Sequence, residues 1–345
     1  RDLRMSRGLG DVYKRQAVGG SGGAGGVGGN SYSGHMGADG GSGGNGGNAF
    51  AYSVWSSGIA AVTAGSIKAE AVGGSGGTGA KGVSYAVSNG GNGGTGGNAF
   101  AYGVRGSEQA LLTLTVDSIA AEAAAGTGGA GGSKGSYDGS SGVDGSAGGQ
   151  GAQAEAYGVY ADSGSVITLS AKTNNGTIKI GAKADNATSA EAYAVYADNA
   201  IVLFHDKAEL NTSDGVSTTD NSVLTSLKNA TLGFGGTAAN RTVTGGTLKL
   251  AGSNTFRVNT DLNLGTADKF TFDSLAADSS TAAQYITVGY DAALDPYKEG
   301  SIGANGGTPI DVLEITNLNG QDLNNFTGGT TTLDSVLYQY NSTTN

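Results

Sequence analysis

Ala154-Glu155-Ala156-Tyr157-Gly158-Val159-Tyr160-Ala161-Asp162 returns 36 residues later as Ala190-Glu191-Ala192-Tyr193-Ala194-Val195-Tyr196-Ala197-Asp198. Two closer copies stand upstream at an offset of 50, Gly46-Gly47-Asn48-Ala49-Phe50-Ala51-Tyr52-Ser53-Val54 and Gly96-Gly97-Asn98-Ala99-Phe100-Ala101-Tyr102-Gly103-Val104. Between copies run β-branched segments, Ser165-Val166-Ile167-Thr168-Leu169, Gly176-Thr177-Ile178-Lys179-Ile180 and Gly65-Ser66-Ile67-Lys68-Ala69. Each alternates an apolar residue with a small or polar one, the period of a strand with one buried face. Across 151–255 such strands arrive about every 10–15 residues, broken by turns such as Asp162-Ser163-Gly164 and Asn174-Asn175-Gly176. A one-faced strand cannot bury its apolar side alone, whereas stacking rung on rung does bury it. The expected fold is all-β: a right-handed parallel β-helix, or solenoid, with long glycine-rich loops. An antiparallel sandwich is the alternative, disfavoured by the small residues that suit a narrow interior and tight corners.

Composition agrees with an ordered repeat protein. The 345 residues include 66 Gly against 2 Pro, which excludes collagen and proline-rich linkers. Charged residues make up 14% and apolar ones 37%, and the polar remainder is mostly Ser, Thr, Asn and Gly rather than the high charge of a disordered chain. A net charge of −10 argues against nucleic-acid binding, which rests on clustered Lys and Arg. The absence of Cys removes disulfides, thiolate chemistry and Cys-based zinc sites. No run of 18 apolar residues is present, so any membrane anchor is expected outside this stretch.

The chain divides into three parts. Residues 1–16, RDLRMSRGLGDVYKRQ, carry five of the 19 Lys and Arg and share no repeat with the rest, resembling a translated sequencing adaptor or linker. Without their five positive and two negative charges the remainder stands near −13. In 17–150 GGX triplets dominate, four in a row from Gly19 to Asn30 and three each in Gly40–Asn48 and Gly90–Asn98. A period of three excludes an ordinary strand. These tracts are read as flexible surface loops projecting from the rungs, because glycine loses the most entropy on ordering; bundled extended glycine helices are the alternative. Residues 151–345 are read as the coil proper, with rungs of roughly 20–25 residues. From about 225 large apolar residues accumulate, as in Lys269-Phe270-Thr271-Phe272, and this end is expected to be the best packed.

The segment Gly245-Gly246-Thr247-Leu248-Lys249-Leu250-Ala251-Gly252-Ser253-Asn254-Thr255-Phe256-Arg257-Val258-Asn259-Thr260-Asp261-Leu262, followed by Gly265-Thr266-Ala267-Asp268-Lys269-Phe270, resembles the late passenger region of bacterial autotransporters. The resemblance covers 230–300 closely and 151–345 loosely. It implies a right-handed β-helical passenger displayed at the Gram-negative cell surface, or secreted, through a C-terminal outer-membrane barrel after Sec export. Neither a signal peptide nor barrel strands occur between residues 1 and 345, so the chain is expected to be a fragment. The glycine tracts also resemble, in composition only, glycine-rich surface proteins of mycobacteria.

Little in the sequence converges on catalysis, and no catalytic, cofactor or metal site is expected. Asp162-Ser163-Gly164-Ser165 echoes the nucleophile loop of chymotrypsin-like proteases, but position 161 is Ala and the only histidines are His35, in a glycine tract, and His205, read as a solvent-facing strand residue. Asp138, Asp144 and Asp162 lie near glycines without forming a calcium-binding nonapeptide. Chance GxGxxG matches lack the flanking strand and helix of a dinucleotide site. Tyr52, Tyr102, Tyr157, Tyr160, Tyr193 and Tyr196 recur at fixed repeat positions, read first as an aromatic stack along the coil and second as an exposed binding ladder.

The expected role is that of a surface-displayed structural or adhesive passenger. Its partners would be host or matrix molecules or further copies of itself, with no nucleic acid and no membrane contact except through a missing barrel. Alternatives are a β-helix enzyme, polysaccharide-active or a serine protease, which needs carboxylates and bases on one rung face, and an ice- or surface-binding solenoid, which needs a regular threonine face. Threonines instead cluster at 212–244 and 327–332 without a constant period.

Overall fold

The computed structural model describes residues 12–27, 37–83, 86–173, 176–210, 223–236, 240–261, 266–280, 282–289, 311–321, 323–328, 330–333 and 336–339. Among these the chain is all-β, without a helix, and so without one long and apolar enough to cross a membrane. The strands are β1 (Val12–Val18), β2 (Ala49–Ser56), β3 (Ile59–Val72), β4 (Ala99–Gly106), β5 (Leu111–Ala124), β6 (Ser136–Tyr137), β7 (Ser140–Ser141), β8 (Gln153–Asp162) and β9 (Val166–Ser170). Then come β10 (Thr177–Asp185), β11 (Ser189–Asp198), β12 (Ile201–Phe204), β13 (Lys207–Glu209), β14 (Leu224–Lys228), β15 (Thr231–Phe234), β16 (Thr242–Thr244) and β17 (Thr247–Ala251). The last are β18 (Thr255–Asp261), β19 (Thr266–Ala267), β20 (Lys269–Leu275), β21 (Gln284–Gly289), β22 (Leu313–Asn317), β23 (Phe326–Gly328), β24 (Thr330–Leu333) and β25 (Val336–Gln339). β1 begins inside the stretch that resembles an adaptor and pairs with β3, Val12 opposite Ser66 and Val18 opposite Val72.

Among the described residues twenty-one strands form one curled, predominantly parallel sheet. Its pairings resolve into three ladders. The first runs β2–β4–β8–β11–β14–β17. In the second, the opening halves of β3 and β5 lead to β9, β12, β15, β18, β21 and β23. The third joins β1 to the closing halves of β3 and β5, then β10, β13, β16, β20 and β22. From β8 to β18 successive strands visit the ladders in strict rotation. Identical residues therefore pair: Tyr157 with Tyr193, Val159 with Val195, Asp162 with Asp198.

Inward residues are graded by size along each strand. In β5 they read Leu112, Leu114, Val116, Ile119, Ala121, Ala123, and in β10 Ile178, Ile180, Ala182, Ala184, all buried. Alanines of the first and third ladders, including Ala99, Ala101, Ala154 and Ala156 against Ala121 and Ala123, form a cluster of their own beside the larger-residue core. The two ladders thus close on each other toward one corner. Past that corner most inward positions have no room for a methyl group, and the sequence turns to glycine.

This geometry corrects the reading of the tracts as loops. The described triplets form two rows of extended segments, 19–27, 73–83 and 124–135 in one, 37–48, 86–98 and 142–151 in the other. A three-residue turn makes no internal hydrogen bonds, so every N–H must find a partner outside its own tract. The first glycine of a triplet donates within its row, as Gly19 to Val72 O, Gly22 to Ser75 O and Gly43 to Asn92 O, all at 2.8 Å. The second donates across rows, giving a zigzag from Gly47 to Gly20 O, Gly74 to Gly47 O, Gly97 to Gly74 O, Gly126 to Gly97 O and Gly151 to Gly126 O at 2.7–2.9 Å. The third N–H points outward, and in the second row an Asn above caps it: Asn45 Oδ1 accepts from Thr95 N, Asn92 Oδ1 from Ser146 N, at 2.9–3.0 Å. A Cβ at Gly97 would lie 2.0 Å from Gly47 O, so only glycine allows this approach. The entropy that favoured a loop is opposed by this dense bonding.

The rungs are consequently longer than the 20–25 residues expected. Paired positions of the first ladder fall 50 residues apart at Ala49 and Ala99, 55 at Ala99 and Ala154, 36 at Ala154 and Ala190, and 23 only at Leu224 and Thr247. Where glycine ends, aromatic packing begins. Phe204, Phe234, Phe256, Phe270 and Phe272 are fully buried, with Phe234 and Phe270 centroids 4.7 Å apart. Beside them Arg241 and Asp268 form a buried bidentate pair, Nε to Oδ1 3.0 Å and Nη2 to Oδ2 2.8 Å, and Arg241 Nη1 donates to Gly235 O and His205 O.

Candidate functional site

Among the described residues, the outer face of the first ladder carries the densest arrangement of aromatic and charged side chains. In-register parallel pairing repeats each residue at the inter-strand spacing of about 4.8 Å, so like side chains stack. Tyr52, Tyr102, Tyr157 and Tyr193 form one column with centroids 4.8, 4.9 and 4.9 Å apart and planes within 7°. A bulge sets a second column beside it. A Cβ at Gly158 would meet Ile180 Cγ2 at 2.6 Å, so positions 158 and 159 both turn inward and Tyr157 and Tyr160 both turn outward. Tyr160 and Tyr196 stack at 4.9 Å and meet the first column edge-on, Tyr157 to Tyr160 at 5.1 Å and Tyr193 to Tyr196 at 5.5 Å. Relative to β14, Ala194 is an extra residue, and Leu224 and Ser226 end the two columns.

Upstream, the second column continues as Arg105 and Trp55. The Arg105 guanidinium lies 5.7, 5.3 and 5.1 Å from the ring centres of Tyr52, Tyr102 and Tyr160, a cation–π contact with each. Its Nη2 is 3.8 Å from Asp162 Oδ2. Flanking the first column is a third, Phe50, Phe100, Glu155 and Glu191. Phe50 and Phe100 stack at 4.9 Å, while in the next rungs the carboxylates accept from the phenols: Tyr157 to Glu155 at 2.5 Å, Tyr193 to Glu191. Phe50 and Trp55 are 50% and 58% exposed, so the upstream end presents an apolar surface, whereas Tyr157 and Tyr193 are buried among their neighbours.

These contacts hold the phenols protonated. Burial first, then Tyr52, pushes Tyr102 up to about 12. Burial, then the hydrogen bonds to Glu155 and Glu191, raises Tyr157 and Tyr193 further. Burial and the nearby Asp162 and Asp198 carboxylates raise Tyr160 and Tyr196.

All six tyrosines singled out from the sequence therefore meet on one face. The protease-like residues do not meet. Ser163 and Gly164 form the turn between the first and second ladders with φ of 52° and 79°, stacked on Asn199 through Gly164 N to Asn199 O at 2.7 Å. His205 stands at the turn after β12, between the second and third ladders, exposed as a residue but with its ring against Gly235; partial desolvation and then Arg241 lower its pKa. His35 and the threonines of 212–222 lie outside the described residues. Asp144 Oδ1 accepts from Lys134 N at 2.8 Å, and Asp138 occupies a hairpin turn. Among the described residues no three His, Cys, Asp or Glu side chains gather as a metal site would require.

Sequence reasoning missed the roles of Arg105, Glu155 and Glu191. The signal was present: each copy places a residue two before the first tyrosine, Phe50, Phe100, Glu155 and Glu191, and in-register stacking makes these one column. No protein-family model matches the chain, and no curated protein or solved structure matches it either.

Proposed function

We propose that the chain is a right-handed parallel β-helix serving as a surface-displayed or secreted structural and adhesive passenger of the autotransporter class. The observation that carries this reading is the strict rotation of strands through three parallel ladders, in which each rung contacts only its neighbours. Such a stack converts chain length into reach, and its stiff faces hold side chains in fixed rows. The exposed Phe50 and Trp55 supply the contact surface that an adhesive role needs, toward host or matrix molecules or another copy of the chain. The resemblance of 245–270 to late passenger rungs supports the same class.

The test is to display the chain on a bacterial surface through a heterologous outer-membrane barrel and to measure cell attachment to matrix-coated surfaces and cell–cell aggregation. At least one is expected to rise above cells displaying the Phe50→Ser, Trp55→Ser double variant. Neither rising, with display verified by antibody, would overturn the reading.

A further inference from the structure

We propose that Tyr157 and Tyr193 form an oxidative cross-linking site, where a carbon–carbon bond joins adjacent rungs of the same chain. The two rings lie 4.9 Å apart within 3° of parallel, on residues that pair in register. Each phenol also donates to its own carboxylate, Tyr157 to Glu155 and Tyr193 to Glu191. A phenol of high pKa resists oxidation in water because its proton must leave with the electron. Here a carboxylate already accepts a hydrogen bond from that proton and can take it as the electron leaves.

The co-reactant is a one-electron oxidant of the peroxidase class, with hydrogen peroxide as terminal acceptor. It removes one electron from each phenol as the proton passes to Glu155 or Glu191, leaving two phenoxyl radicals. Their ortho carbons couple. One C–C bond forms, the two ortho C–H bonds break, and the rings regain aromaticity as protons return to the phenolic oxygens. The carboxylates release their protons to solvent, and the two electrons and two protons reduce one peroxide to two waters. Tyr196 is less buried and touches Tyr193 and Tyr157 edge-on at 5.5 and 5.7 Å, which gives the oxidising equivalent a route inward.

The molecule contains its own control. Tyr52 and Tyr102 stack as closely, at 4.8 Å, but Phe50 and Phe100 occupy the carboxylate positions. The Arg105 cation over both rings opposes loss of an electron. Proximity alone would cross-link Tyr102 with Tyr157 and Tyr160 with Tyr196 as readily, both stacked at 4.9 Å; only in Tyr157 and Tyr193 does each phenol of a stacked pair donate to a glutamate.

The folded chain would be treated with horseradish peroxidase and hydrogen peroxide, digested, and mapped by mass spectrometry. A cross-linked peptide containing Tyr157 and Tyr193, lighter by two hydrogens and carrying dityrosine fluorescence, is expected in excess over any Tyr52–Tyr102 product. Tyr193→Phe, which keeps the ring and the stack, should abolish it. Glu155→Gln with Glu191→Gln should slow its formation by about 100-fold, the low end of what a positioned proton acceptor contributes, while circular dichroism stays that of the parent. Equal or greater yield at Tyr52–Tyr102, products only between chains, no dityrosine, or an unchanged rate in the glutamine variant would each overturn the proposal.

Discussion

The rungs up to β8 and those from β14 onward build the same ladders on opposite packing principles. Upstream, the corner between the third and first ladders narrows through alanine to glycine, until backbone rests on backbone and hydrogen bonds do the holding. Downstream, phenylalanine fills the interior and burial of apolar surface does the holding. Parallel pairing is indifferent to which is used. The two halves should therefore fail in opposite ways, the first when a side chain is added and the second when a partner is removed.

The largest effect is expected from Gly97→Val, whose Cβ would sit 2.0 Å from Gly47 O and 2.5 Å from Gly47 C, both backbone atoms that cannot yield. A loss on the order of 5 kcal/mol is expected. Hydrogen exchange should show protection lost across 73–151 and kept across 224–275. Protection lost evenly along the chain would show that the halves are not separate cooperative units. Next is Asp268→Asn in the downstream half, which leaves the buried Arg241 guanidinium without its counter-charge at a cost of about 3 to 5 kcal/mol. Its exchange pattern should be the reverse.

Alkali probes the junction between the halves. Tyr157 and Tyr193 keep their protons in the folded chain at a pH where unfolded phenols, with a pKa near 10, release theirs. The unfolded state then binds fewer protons, so stability is full below pH 10 or so and falls above it, by up to roughly 1.4 kcal/mol per pH unit for each such tyrosine. Thermal melts between pH 8 and 11 would show it, and a flat profile would count against the buried stack. Asn45→Ala should cost about 1 kcal/mol by removing the cap on Thr95 N, visible as faster exchange at that amide. Smallest of all, Gly23→Val should change stability by less than about 0.5 kcal/mol, because its Cβ meets nothing within 4 Å. A large loss there would mean that glycine is required by the tract itself and not by its neighbours.

How much could be read beforehand follows the same division. The copies around Tyr157 and Tyr193 were legible because alternation marks a buried face and a repeat offset marks stacking. The glycine rows were legible only as the second reading, bundled extended glycine helices, because these tracts have no side chain to bury and the entropy of glycine favoured a loop. Their order was encoded in phase: the triplets keep register from tract to tract, and Asn45, Asn92 and Asn98 fall at the outward position where an N–H needs a cap. A loop would have no reason to keep either. Of the aromatic face, the tyrosine columns were visible in the repeat, whereas Arg105 entering the Tyr160 position appears only once the register of β4 on β8 is known.

The rows also constrain how this chain can change length over generations. Each rung of the first half leaves the third ladder along one tract and returns to the first along another, and the two are bonded glycine to glycine across the rows, as Gly47 to Gly20 O and Gly97 to Gly74 O. An inserted or deleted triplet in the outgoing arm leaves three residues unmatched unless the returning arm changes too. Surviving length variants are therefore expected to differ by whole triplets in both arms at once, lengthening the glycine slab while every β-rung stays in register.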